Sequence, residues 1–166
     1  MNLEKYQQYS RIARGLEKAD LVLKDARIVN VFTEEIIRGD IAIQDGIIAG
    51  IGSFHGKEER DLAGRYVCPG FIDSHLHLES TLVTPAELVT VASRHGTTTF
   101  IVDPHESANV SGLAGIDYIL DQTEDVKANV YVMMPSCVPA TAIDDNGCTL
   151  TAEDMAPYLH NSRILG

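Results

Sequence analysis

An α/β fold is predicted for this chain: a helix first, a small β-rich segment next, then strands and helices in alternation. Three observations predict it. Residues 3–16 carry apolar side chains at helical steps, residues 20–68 hold short β-branched runs punctuated by turn residues, and strand-like and helix-like segments alternate from Pro69 onward. Such alternation is the pattern of parallel βα units.

Residues 1–19 form the first predicted unit, an amphipathic helix. Leu3, Tyr6, Tyr9, Ala13 and Leu16 recur at three- and four-residue steps, and Gly15 marks the stop. The opposite face mixes both charge signs, so the stripe is expected to pack on protein, its own chain or a sister subunit, and not on a membrane. Residues 20–68 form the second unit, with strands in LVLKDARIVNVF, IIRGDIAIQ and IIAGIG. Turns are expected at Gly39-Asp40 and at Asp45-Gly46, the latter a strong hairpin signal, giving a small antiparallel layer.

Residues 69–166 form the third unit. FIDSHLHL reads as a strand, Thr84-Pro85-Ala86-Glu87 as a capping box opening a helix that stops at Gly96, and TTTFIVD as a second strand. A helix over residues 111–125, a strand in NVYVMM, a capped helix from Thr151 through about His160, and the first residues of a fourth strand in RILG complete the pattern. These units occupy about 97 residues, whereas a closed eight-fold βα barrel needs roughly 250. The chain is therefore expected to be an N-terminal piece of a longer protein.

Composition narrows the function. With 13 Lys and Arg against 24 Asp and Glu, the net charge is −11, which disfavours nucleic acid as a partner. The N-terminus lacks a signal-peptide pattern and no long apolar run occurs, so a cytoplasmic protein without a membrane partner is expected. Cys68, Cys137 and Cys148 are an odd number without CxxC spacing and read as reduced thiols, Cys68 and Cys148 as small buried side chains.

Chemistry concentrates after Pro69. On a strand, Asp73, His75, His77 and Glu79 share one face, because side chains alternate with a period of two. Such a polar face asks for a cation or a cavity in front of it, and imidazole pairs suit Zn, Mn or Fe. Chance alone gives roughly 0.2 His-x-His pairs at this composition, so the weight comes from the setting at a strand end. The second strand ends in Asp103-Pro104-His105-Glu106, delivering two carboxylates and an imidazole to the same end of the sheet. The plain alternative is that Asp103 caps a turn before Pro104 and the others are solvated. The third strand ends in Pro135-Ser136-Cys137-Val138-Pro139, a stiff loop in which Ser136 and Cys137 could line a pocket. A cytidine-deaminase zinc signature is incomplete, because Pro135 is not followed by Cys-x-x-Cys; the G-x-S-x-G elbow and Gly-rich phosphate loops are missing too.

PGFIDSHLHLES, from Pro69 to Ser80, resembles the metal-binding first strand of the amidohydrolase superfamily, and LVLKDARIVNV with GDIAIQDGIIAGIG resembles the β-rich segment accompanying its barrel. HGTTTFIVDPHESANVSGLAGI and MMPSCVPAT are similar to the bacterial adenine deaminases within it. The resemblance implies the start of a metal-dependent (β/α)8 barrel, about three and a half βα units. It implies a binuclear divalent metal centre, Mn or Fe in this branch with Zn admissible, and His75 and His77 as two ligands. The remaining ligands are expected beyond Gly166. The implied reaction is hydrolytic deamination of adenine to hypoxanthine and ammonia, a purine-salvage step on a purine base, in a homodimer. Glu106 is the candidate catalytic residue. Asp73, Glu79, Asp103, His105, Ser136 and Cys137 are candidates for touching substrate or orienting ligands. Two departures from the branch stand out, Ser107 after DPHE and the loop Ala142 to Leu150. Hydrolysis of a cyclic amide, as in hydantoinases and dihydroorotases, and a non-catalytic module are the alternative readings.

Overall fold

The structure is a computed structural model and describes residues 2–166. It divides into two compact units, Met1–Pro69 and Gly70–Gly166.

In the first unit, α1 (Leu3–Ala13) begins where Asn2 Oδ1 accepts the Lys5 amide at 2.9 Å. Gly15, with φ +71°, ends it, and the Leu16 amide reaches back to Arg11 O. The predicted stripe differs from the buried one. Ile12 is the buried residue of α1 and packs with Ala19, Val22, Ala42 and Phe54, whereas Leu3, Tyr6 and Leu16 are exposed.

The sheet that follows centres on β1 (Ala19–Asn30), which pairs antiparallel with β2 (Glu35–Gln44); β2 pairs antiparallel with β3 (Ile47–Gly52). Asp45 and Gly46 join them with φ of +50° and +75°, the mirror-image turn that suits strand twist. The expected turn at Gly39-Asp40 is absent. Both residues lie inside β2, where Gly39 faces Ala26 across the ladder. Nor is the layer purely antiparallel, because β4 (Gly56–Asp61) and β5 (Tyr66–Val67) both run parallel to β1.

Asp40 is 8% exposed, and its neighbours explain why a carboxylate sits there. Oδ2 accepts the Lys24 ammonium at 2.5 Å and the Phe54 amide at 3.1 Å, while Oδ1 accepts the Asp25 amide at 3.1 Å. Asp25 has φ +51° and sits in the β1 bulge between Leu23 and Ala26. The side chain of Asp40 thus satisfies the Asp25 amide, which the bulge takes out of the ladder, and the Phe54 amide in the loop after β3.

The second unit is a parallel sheet in the order β6 (Phe71–Leu76), β7 (Thr97–Val102), β8 (Asn129–Val132). α2 (Pro85–Ser93) connects β6 to β7, with Pro85 at its first turn. Thr84 precedes it without a side-chain cap hydrogen bond, so the expected capping box does not form. Between β7 and β8 stand two helices, α3 (His105–Ser111) and α4 (Leu113–Gln122), where one over residues 111–125 was expected. Gly112, at φ +62° and ψ −138°, breaks them apart, and an added Cβ there would meet Cys148 Sγ at 2.6 Å.

Phe100, Val102, Val130 and Val132 of the strands pack with Leu78, Val89, Ile116, Ile119 and Leu120. α5 (Ala152–Met155) carries the predicted Thr151–Asp154 capping box and passes into a 3-10 turn, Ala156–His160. Arg163 then donates to Val130 O at 3.2 Å, Leu120 O at 3.0 Å and Thr123 Oγ1, which brings Ile164 into a parallel bridge with Val132. Among the described residues no helix is long and apolar enough to cross a membrane.

Candidate functional site

Because β6, β7 and β8 are parallel, the segments that leave their carboxyl ends emerge on one side of the sheet, where open and closed α/β folds place their sites. His75 stands in β6, while His77 and Glu79 lie beyond its end. The strand stops at Leu76, and Leu78–Thr81 winds into a 3-10 turn. The expected single face of Asp73, His75, His77 and Glu79 therefore holds for the histidines and fails for Glu79, which reaches the cluster through the turn.

His75 Nε2 and His77 Nε2 are 3.1 Å apart, with the rings edge to face. Nitrogens so placed share a proton or converge on one cation. Asp103, directly after β7, is anchored by its amide to Leu76 O at 2.9 Å. One ligand atom from each of His75, His77 and Asp103 lies within 4.8 Å of the others, and the same holds for His77, Glu79 and Glu106.

Three buried atoms of this cluster have no hydrogen-bond partner: His77 Nδ1, Glu79 Oε2 and Asp103 Oδ1. His77 Nδ1 does lie 3.0 Å from Glu106 Oε2, an ion-pair distance whose angle makes no hydrogen bond. Buried donors and acceptors left over in one place are costly unless a further group engages them. The set, imidazole nitrogens with carboxylate oxygens, suits a divalent first-row metal.

His105 and Glu106 are not at a strand end as expected; they open α3. Glu79 Oε1 accepts the amides of Glu106 at 3.0 Å and Ser107 at 3.2 Å, tying the turn after β6 to that helix. Burial, and then the neighbouring Glu106, raise the Glu79 carboxyl above its usual range. Burial works the same way on Glu106 but is outweighed by the Glu79 carboxyl, local backbone hydrogen bonding, the His77 charge and Ser80, which hold Glu106 below the usual range.

The remaining candidates divide. His105 stands edge to face with His77 at 5.9 Å between centroids, and its Nδ1 lies 3.8 Å from Cys137 Sγ, so both join the cluster's rim. Asp73 Oδ1 accepts the His75 amide at 3.3 Å and belongs to neither donor group. Ser136 is exposed and makes none of the site's hydrogen bonds among the described residues. Cys68 is exposed and Cys148 half-buried, against the buried thiols expected. Ser80, which sequence reasoning missed, donates to Glu106 Oε1 at 3.3 Å. A strand reading of FIDSHLHL gave no reason to place Ser80 beside Glu106; the 3-10 turn does.

Comparison with known proteins follows the same residues. The model of the Amidohydrolase family matches residues 66–162. The adenine deaminase of Desulfitobacterium hafniense (strain Y51) is 57% identical over 166 residues, covering 100% of this chain and 29% of the relative. That of Geobacillus kaustophilus (strain HTA426) is 50% identical over 149 residues, 90% of this chain and 26% of the relative. That of Clostridium acetobutylicum is 51% identical over 154 residues, 93% of this chain and 27% of the relative. The chain thus spans under a third of these relatives' length. Among solved structures, an N-acyl-D-glutamate deacylase from Bordetella bronchiseptica, complexed with zinc and a phosphonate inhibitor, aligns with a TM-score of 0.51. Its identity is 24%, over 71% of this chain and 30% of that chain, a likeness of fold. With more than half of its residues matched by the family model, including both histidines and the acidic residues around them, the chain belongs to the amidohydrolase family.

Proposed function

We propose that this chain is the N-terminal part of a metal-dependent amidohydrolase that deaminates adenine to hypoxanthine and ammonia. The observation that carries the chemistry is the convergence of His75, His77 and Asp103 with unpartnered buried atoms among them. The substrate class rests on whole-chain similarity to proteins named adenine deaminase. The fold proposed for the full protein is a (β/α)8 barrel, to which residues 69–166 contribute the first strands, preceded in sequence by the helix of residues 1–19 and the β-rich segment of residues 20–68.

His75 and His77 hold the metal in this reading, with Asp103 turned toward the same position and further ligands supplied by the rest of the protein. Manganese or iron is the proposed ion, in a binuclear centre, with zinc admissible. When bound, the metal supplies the Lewis acidity that makes a water oxygen nucleophilic at neutral pH.

The chain's own residues then handle protons and position. Deamination forms a carbon–oxygen bond at C6 of the purine and breaks the bond to the amino nitrogen, which leaves as ammonia and needs a proton. Glu106, whose Oε2 lies 3.0 Å from His77 Nδ1, takes the water proton and delivers it to that nitrogen. Glu79 fixes the backbone of Glu106, and Asp73 fixes that of His75. His105 and Cys137 flank the cluster, where they shape the space next to the purine, and Ser136 contributes from the same loop. A cytoplasmic homodimer serving purine salvage is the proposed setting.

The test is ammonia release by the full-length gene product reconstituted with Mn, on adenine beside hydantoin and dihydroorotate. Release from adenine alone supports the reading. A metal-loaded protein that ignores adenine and opens a cyclic amide replaces it with the hydantoinase or dihydroorotase type.

A further inference from the structure

We propose that Ser80 is a positioning residue that aims Glu106. Its hydroxyl holds Oε1 of that carboxylate and so leaves Oε2 on the side of His77. The inference rests on the reading that Glu106 moves the proton.

Glu106 is exposed, and a glutamate side chain at a helix start has several open rotamers. Three constraints narrow them. The backbone is fixed by Glu79 Oε1, which accepts the Glu106 amide at 3.0 Å and the Ser107 amide at 3.2 Å. One carboxylate oxygen, Oε1, accepts the Ser80 hydroxyl at 3.3 Å. The other, Oε2, then stands 3.0 Å from His77 Nδ1. Without the hydroxyl, the carboxylate keeps its backbone anchor and its Glu79 neighbour and loses the hydrogen bond that holds Oε1 away from His77.

The donor itself is held. Ser80 lies in the 3-10 turn Leu78–Thr81, its amide bonded to His77 O at 3.3 Å, and Thr81 Oγ1 closes the turn on Leu78 O at 2.6 Å. His77 and Ser80 therefore belong to one segment, and the two oxygens of Glu106 face its two ends, Oε1 through the Ser80 hydrogen bond and Oε2 at 3.0 Å from His77 Nδ1. A residue at position 80 must donate to do this, so alanine fails and threonine suffices. The site is exposed and admits the extra methyl.

The experiment uses the full-length gene product reconstituted with Mn, as wild type, Ser80→Ala, Ser80→Thr, Glu106→Gln and the Ser80→Ala/Glu106→Gln double variant. Ammonia release from adenine is measured with metal content. The expected result is a kcat lowered about tenfold in Ser80→Ala, the scale of a modest misplacement of a reacting group, with KM within about twofold. Metal content stays at the wild-type level and Ser80→Thr recovers most of the rate. The double variant is no slower than Glu106→Gln, because residues that act as one unit are not additive. An unchanged kcat, a changed KM alone, or additive losses overturns the proposal. If wild type is silent on adenine, the functional reading fails while this one is still read from crystal structures of wild type and Ser80→Ala. A Glu106 carboxylate that swings away from His77 in the variant supports it, and one that stays in place overturns it.

Discussion

His75 Nε2 and His77 Nε2 stand 3.1 Å apart where the chain leaves β6, and the buried Nδ1 of His77 lies 3.0 Å from Glu106 Oε2. One imidazole thus faces a second imidazole on one side and a carboxylate on the other. A carboxylate that faces the second nitrogen of a histidine restricts how that ring can turn.

Removing either histidine should therefore remove the metal. His75→Ala and His77→Ala in the full-length protein are expected to lower metal affinity by at least about 100-fold, the upper end of what loss of a mere orienting partner costs. Turnover should vanish while circular dichroism stays that of wild type, since neither ring belongs to the hydrophobic core of Phe100, Val102 and Val132. Metal analysis by mass spectrometry reads the outcome; wild-type content in either variant removes that residue from the ligand set.

Glu106→Gln keeps the size of the side chain and discards its ability to carry a proton. Loss of a general acid–base group costs about 10²- to 10⁴-fold in turnover, so kcat is expected to fall on that scale with metal content largely kept. Steady-state ammonia release checks this. Kinetics like those of wild type return Glu106 to an ordinary exposed carboxylate at the start of α3.

Much of this was legible in the chain itself. The Asp45-Gly46 hairpin, the β7 strand in TTTFIVD and the Thr151–Asp154 box each follow from local chemistry that no distant residue overrides. His75 and His77 could be placed on one face from their spacing, with the strand-end setting supplying the weight. What escaped depends on contacts across the fold. Gly39-Asp40 looks like a turn until Lys24, Asp25 and Phe54 are seen gathered on Asp40 inside β2. The α3–α4 break at Gly112 coincides with Cys148 packed against it, 36 residues away in sequence by their numbers. Ser80 escaped because nothing in the sequence announced the 3-10 turn Leu78–Thr81 that brings it to Glu106.

Gly112 offers a test of that break. At φ +62° and ψ −138° a side chain is strained whatever the space, and the added Cβ would also lie 2.6 Å from Cys148 Sγ. Gly112→Ala should cost about 1–3 kcal/mol, measured by urea unfolding. Combining it with Cys148→Ala relieves the crowding and leaves the backbone strain, so the double variant should recover only part of the loss. Equal stability of Gly112→Ala and wild type would show that the two helices tolerate another junction.

Asp40 carries a prediction in pH. Burial opposes its ionisation but is outweighed by the Lys24 ammonium and the amides of Phe54 and Asp25, which hold its carboxyl below the usual range. A depressed folded pKa stabilises the native state above the unfolded value of about 4, and that contribution drains away as pH falls through the folded value. Asp40→Asn cannot titrate and leaves Lys24 without its counter-charge. Breaking a buried pair costs about 3–5 kcal/mol, and because Lys24 is 28% exposed the cost here should be smaller, about 2–3 kcal/mol at pH 7. The gap between wild type and variant should stay constant from pH 5 to 8 and close below about pH 4, where wild-type Asp40 takes up its proton. Lys24, raised chiefly by its hydrogen bond to Asp40, sets the alkaline limit, and the pair's contribution is lost as pH climbs through that raised value. Urea midpoints of both proteins across pH 3 to 8 decide the matter; a gap that persists unchanged at pH 3 would mean that Asp40 acts through its shape and amide contacts rather than its charge.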